Sequence, residues 1–307
     1  MIKKFSAVFD LMRIYNFPIP LTAMLAGLFS APNPPPVRVA VGIFWAFLGC
    51  LGCQAWNDYQ DVEVDCVNAP HRPIPSGRLS KKEVHRLIHF ILLAGLITAL
   101  IYSWICIPLI LAAYGLTKIY PSLKRVTVFN HVLMPLSESL APICGSLLAF
   151  GRVMPAAWFS VFLIFFMDLN MNIIGSFKDL QDDSIKEKVL PVVAGPKFAA
   201  LFSLFCGILA LSIGVVPIVL GLVSQWSLLF LGIAAFLTIK SRLMVLNRFD
   251  AKTGYQALKE GRLAEVTSYP SLICGIISLP AALFLITAIL LFTFYSQNII
   301  PENVYAQ

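Results

Sequence analysis

Charge is what this chain has least of. Lys, Arg, Asp and Glu make up 13% of its 307 residues, against about 25% in an ordinary soluble domain. Histidine is scarcer still: His71, His85, His89 and His131 stand at no spacing that suits a metal. The seven cysteines are odd in number and scattered through apolar runs, which excludes a disulfide framework. Cys50 and Cys53 form a CxxC with no second pair and no neighbouring His, so packing inside a helix explains them. No cleavable leader is read at the start, because Asp10 and Arg13 interrupt the run between Lys4 and Leu21. A water-soluble globule, a disordered chain and a collagen-like chain are all excluded.

What the chain has instead is apolar length. Hydrophobic residues are 58% of the total, and continuous runs near the 20 or so residues that cross hydrocarbon recur throughout. They are read at 14–31, 38–57, 87–106, 107–121, 128–150, 155–178, 198–221, 226–246 and 270–295. The runs do not alternate, so they are helices rather than barrel strands. An all-α polytopic membrane protein of nine helices, in a single domain over 1–307, is expected.

The charges test that count. With the N-terminus inside, segments 1–13, 66–86, 118–125, 178–197 and 240–265 fall on one side and hold 21 of the 23 Lys and Arg residues. That is the positive-inside asymmetry, and it places the N-terminus in the cytoplasm and the C-terminus on the opposite side. The net charge of +7 then needs no nucleic acid, since attraction to an anionic bilayer accounts for it. Thirteen of the sixteen acids lie at the same inner helix ends, so chemistry belongs on the cytoplasmic face.

Two acidic clusters share one spacing. Asn57, Asp61 and Asp65 follow each other at i, i+4 and i+8, with Asp58 beside them; Asp179, Asp183 and Glu187 repeat the pattern, with Asp182 beside. Such spacing stacks the carboxylates on one helical face, where they repel unless a cation lies between them. Oxygen donors without His or Cys suit a hard ion, and Mg²⁺ best if the ion also carries phosphate. Arg72, Arg78, Lys118, Lys124, Arg125 and Lys178 are candidates for the phosphate oxygens. The loop holding the first two is stiffened by Pro70, Pro73 and Pro75. Within the spans, Asp168 and Asn172 extend the second cluster into the bilayer along one face. Arg13, Asn16, Asn130, Ser137 and Glu138 are further intramembrane polar positions.

These residues carry a resemblance. NDYQDVEVD (57–65) resembles the NDxxDxxxD signature of the UbiA superfamily of intramembrane prenyltransferases. NAPHRPIPSG (68–77) is similar to its continuation, and KDLQDDSIKEKVLPVVAG (178–195) resembles its second acidic motif. The resemblance implies a helical barrel around a central cavity open to lipid. It implies Mg²⁺-dependent transfer of a polyprenyl group from its diphosphate (farnesyl, geranylgeranyl or longer) to an acceptor. Asn57, Asp58, Asp61 and Asp65 match the first motif, Asp179 and Asp183 the second; Glu187 extends it by spacing alone. Asp61, Asp65, Asp179 and Asp183 are the residues on which catalysis is expected to rest. Arg13 and Asn16 resemble positions that face the acceptor in aromatic-acid members, which favours an aromatic acceptor slightly.

Neutralising the diphosphate lets the C–O bond break toward an allylic carbocation, which a dry cavity must keep from water. Two other readings differ in what they require. A terpene cyclase of the same fold would release diphosphate with no acceptor. A transporter or cation channel would show internal repeats with sites near the midplane, and no wider repeat aligns here.

Overall fold

The computed structural model describes residues 2–124, 126–178, 188–273 and 277–299, and among these every regular element is helical. Asp179, Asp183, Glu187 and Arg125 lie outside the described residues. The chain opens with α1 (Ile2–Met12), a 3₁₀ turn (Ile14–Asn16) and α2 (Pro18–Leu28). The break between them falls at Arg13, whose φ of 47° is left-handed. Pro18, as the first residue of α2, suits the start of a helix, because its missing N–H would have no partner there.

Next come α3 (Pro36–Gln60), α4 (Val62–Asn68) and α5 (Lys81–Tyr102). Ser80 and Glu83 start α5 with a reciprocal capping box, which satisfies two otherwise unpartnered N–H groups. A 3₁₀ turn at Trp104–Cys106 leads into α6 (Ile107–Lys124), near the expected division at 106/107. The following span bends at Ser139 into α7 (Asn130–Glu138) and α8 (Leu140–Phe150). Then follow α9 (Pro155–Gly175), a helical turn at Leu190–Val193, α10 (Pro196–Val219) and α11 (Ser227–Asn247). The described chain ends with α12 (Ala251–Ser268), a 3₁₀ turn (Tyr269–Leu272) and α13 (Leu279–Ile299).

Among the described residues, eight helices are long and apolar enough to cross a bilayer. With the broken α1–α2 segment they account for the nine expected spans. Their outward faces are apolar, as contact with lipid requires: on α5, Phe90 and Leu100 are 67% and 68% exposed.

Two expectations are corrected. The stretch 240–265 was read as a cytoplasmic segment, but α12 occupies most of it and packs along α11 and α9. Lys252, Lys259, Glu260, Arg262 and Glu265 make α12 polar, and hydropathy takes a polar helix for a loop. Its inner face is nevertheless built for packing, with buried Gly254, Ala257, Gly261 and Ala264 at near-helical intervals. The additional helix turns the chain once more. The ninth apolar span therefore begins at Leu279 rather than 270, and its far end returns beside the first half of α12, where Lys259 Nζ donates to Asn298 Oδ1 at 2.9 Å. The last described residues thus lie at the same end of the bundle as the α11–α12 turn, not at the opposite end.

Candidate active site

The helices enclose a cavity of about 900 Å³. Its walls come from α2, α3, α5, α6, α7, α8, α9 and α12, and apolar side chains such as Met24, Trp45 and Leu109 cluster along part of it. One end is charged. There α3 stops at Gln60, and Asp61 (φ −90°, ψ 11°) joins it to α4. The helical hydrogen bonds nevertheless continue through the joint, from Asp61 N to Asn57 O (2.9 Å) and from Asp65 N to Asp61 O (2.8 Å). Asn57, Asp58, Asp61 and Asp65 all reach the cavity, so the i, i+4, i+8 spacing holds across an interrupted helix.

Two arginines close on these acids. Arg13 Nη2 lies 2.5 Å from Asp58 Oδ1, and Arg72 Nη1 lies 2.5 Å from Asp65 Oδ1 and 3.8 Å from Asp58 Oδ1. Asp58 and Asp65 are 1% and 5% exposed, depths at which a lone carboxylate is strongly penalised and a paired one survives. The arginines leave part of the acidic side unsatisfied. Asn57 Oδ1 and Asp65 Oδ2 are buried acceptors with no hydrogen-bond partner. Buried acceptors are rarely left so, and two of them on residues that line one cavity fit an oxygen-liking cation. Among the described residues no three His, Cys, Asp or Glu side chains form a metal cluster by themselves.

The other predicted residues divide. Asn16, Arg72, Lys124, Asn130, Asp168, Asn172 and Lys178 line the cavity. Lys118 does not: its ammonium lies over the Trp56 ring, 5.7 Å from the centroid, and its carbonyl accepts from Trp56 Nε1 and Gln60 Nε2. On α6, Lys118 is an exposed residue turned toward α3, beside the cavity-lining Trp56. Beyond Lys178, the chain re-enters the described structure at Lys188, whose N–H donates to Lys124 O at 2.9 Å. Asn130 Nδ2 donates to Lys188 O (3.3 Å) and Leu190 N–H to His131 Nε2 (3.1 Å). Both ends of the second acidic segment are therefore tied to the charged end of the cavity.

Sequence reasoning missed α12's share of the wall. Arg262 and Glu265 line the cavity, with Arg262 4.9 Å from the centre of the Tyr15 ring. The stripe of small residues beneath them was the available signal.

A family model of the UbiA prenyltransferase family matches residues 19–264. A digeranylgeranylglyceryl phosphate synthase of Pyrococcus abyssi is 29% identical over 269 residues, covering 86% of this chain and 95% of the relative. The fold is similar to that of a UbiA homologue from Aeropyrum pernix K1, with TM-score 0.72 and 18% identity over 86% of this chain and 97% of that one. It is also similar to that of an Archaeoglobus fulgidus homologue solved with GPP and Mg²⁺, with TM-score 0.67 and 16% identity over 96% and 99%. The family match spans most of the helices that build the cavity and both acidic segments, and the chain belongs to the UbiA prenyltransferase family.

Proposed function

We propose that this prenyltransferase transfers a polyprenyl group from its diphosphate to the hydroxyl of a glyceryl phosphate lipid, with Mg²⁺ as cofactor. One observation carries the reading: the orphaned acceptors Asn57 Oδ1 and Asp65 Oδ2, set beside Arg13 and Arg72 at the charged end of an otherwise apolar cavity. Asn57, Asp58, Asp61 and Asp65 would hold the cation, and the second acidic motif, with Asp179, Asp183 and Glu187, would supply the further ligands that its sequence suggests. The ion would supply charge neutralisation of the leaving diphosphate. Arg72, Lys124 and Lys178, with Arg125, orient the phosphate oxygens, while the apolar part receives the isoprenoid tail and keeps out water. The C1–O bond then breaks with its electron pair left on the diphosphate, and the acceptor oxygen bonds to C1.

The relatives support this acceptor, since several of them are digeranylgeranylglyceryl phosphate synthases. The case for an aromatic acceptor rested on Arg13 and Asn16. Arg13 is engaged with Asp58 at the diphosphate end, which weakens it. The positive-inside asymmetry supports a cytoplasmic position for the charged end.

Purified protein with Mg²⁺ and geranylgeranyl diphosphate should form an ether with geranylgeranylglyceryl phosphate and none once Mg²⁺ is chelated. Transfer to an aromatic acceptor alone would replace the acceptor class. A cyclic hydrocarbon formed without acceptor would make the protein a cyclase.

A further inference from the structure

Below the charged end, three carboxylates from three helices line one stretch of the cavity: Glu138 on α7, Asp168 on α9 and Glu265 on α12. Both α7 and α12 pack on α9, and the three groups act on one another electrostatically. Two of them have hydrogen-bond donors. Asn172 Nδ2 donates to Asp168 Oδ1 at 3.3 Å, and the Tyr269 hydroxyl to Glu265 Oε1 at 3.4 Å. Glu265 also faces the charges of Arg262 and Arg242. Glu138 differs: its Oε1 is shut off from solvent and has no hydrogen-bond partner.

The depth of this oxygen matters. Cys53 lies within electrostatic reach of both Glu138 and Asp168, and it precedes Asn57 by one turn of α3, about 6 Å along the axis. Glu138 follows Asn130 by eight residues of α7 and Asp168 precedes the end of α9 at Gly175 by seven, about 10–12 Å of helix each, so both sit deeper in the bundle than the charged end. A prenyl diphosphate headed at Asn57 and Asp65 would bring its first carbons, not its phosphates, to this level. An ionisable group kept inside a membrane bundle is costly and marks function.

Resting on the transferase reading above, we propose that Glu138 is the general base for the acceptor. The C1–O bond to the diphosphate breaks with its electron pair leaving on the diphosphate, the acceptor oxygen bonds to the allylic cation at C1, and the hydroxyl proton passes to the Glu138 carboxylate. Asp168, with Asn172, positions the hydroxyl. Transfer needs such a proton acceptor because the cavity excludes bulk water.

The test uses the full-length protein in nanodiscs with Mg²⁺, geranylgeranyl diphosphate and geranylgeranylglyceryl phosphate, and measures ether, prenyl alcohol and diphosphate together. Glu138→Gln keeps the shape and removes the basic oxygen. Its ether-to-diphosphate ratio should fall at least about tenfold, since general bases contribute about 10²–10⁴, with prenyl alcohol making up the difference. Glu138→Asp should recover part of the ratio. An unchanged ratio in Glu138→Gln overturns the proposal. So does a loss of ether and diphosphate in equal proportion, with a lowered melting temperature in both variants, because that is a structural role. Wild-type protein that releases diphosphate without ether overturns the transferase reading and the base with it, and that failure shows before any substitution is made.

Discussion

Arg13 lies at a left-handed break after α1, and from there its Nη2 reaches 2.5 Å from Oδ1 of Asp58, 45 residues along the chain. A non-glycine residue in this region of φ and ψ is uncommon and is kept where the surroundings hold it in place. Here the break that interrupts the first span is also what brings a cation to a buried acid of the second.

Removing that cation should therefore be costly. Arg13→Gln leaves Asp58 buried, with Arg72 at 3.8 Å. Losing one partner of a buried pair costs about 3–5 kcal/mol, and the 22% exposure of the Arg13 side chain places the expected loss at the lower end. Thermal unfolding of Arg13→Gln, Asp58→Asn and the double variant should give a coupling above about 1 kcal/mol. Strict additivity would mean that the pair contributes nothing.

The orphaned oxygens predict a metal requirement that can be shifted residue by residue. Asn57→Ala and Asp65→Asn should each raise the Mg²⁺ concentration needed for half-maximal diphosphate release, by about tenfold or more for the loss of about 1.4 kcal/mol of ligand energy. Lys4→Gln is the comparison, because Lys4 is exposed and pairs with Glu83, apart from the residues that line the cavity. Identical Mg²⁺ curves for all three would remove Asn57 and Asp65 from the metal site.

Much of this was legible before the structure. The apolar runs, the side bearing the charges and the stacking of Asn57, Asp61 and Asp65 follow from period and hydropathy, which are local properties. Three features were not, and each has a non-local cause. α12 reads as a loop because the charges of Arg262 and Glu265 turn inward to a cavity that only the assembled bundle creates. The charge of Lys118 is legible, but the rotation of α6 that turns it onto Trp56 is not. Arg13 could be recognised as an intramembrane cation, but its partner depended on how α1 folds back on α3.

The turn into α12 gives a pH-dependent prediction. Asp250 caps this helix by accepting from the Thr253 N–H at 2.8 Å. That bond first, and the nearby Arg248 guanidinium after it, hold its carboxyl below the usual carboxylate range. A depressed pKa in the folded state means stability that is complete above the unfolded value of about 3.9 and is lost as pH falls through the lower folded value. Asparagine caps a helix without titrating. The melting temperature of wild type should therefore exceed that of Asp250→Asn near neutral pH, and the gap should close on acidification. A gap independent of pH would show that the charge of Asp250 adds nothing to its cap.

The last prediction concerns how closely α2 can approach α8. A Cβ on Gly27 would fall 2.1 Å from the carbonyl oxygen of Pro142, and one on Gly145 would fall 2.6 Å from the carbonyl oxygen of Met24. Both obstacles are backbone, so no side-chain rotation relieves them, and the helices would have to part. Overpacking of this kind costs about 1–3 kcal/mol, and the same displacement would open the apolar part of the cavity lined by Met24 and Cys144. Gly115 on α6 is the control: nothing lies within 4 Å of a Cβ added there, and alanine in a helix interior gains about 0.5–1 kcal/mol over glycine. Gly27→Ala and Gly145→Ala should lower the melting temperature in a common detergent while Gly115→Ala leaves it level or raises it. Equal melting temperatures for all three would show that α2 and α8 are not held at this distance by their glycines.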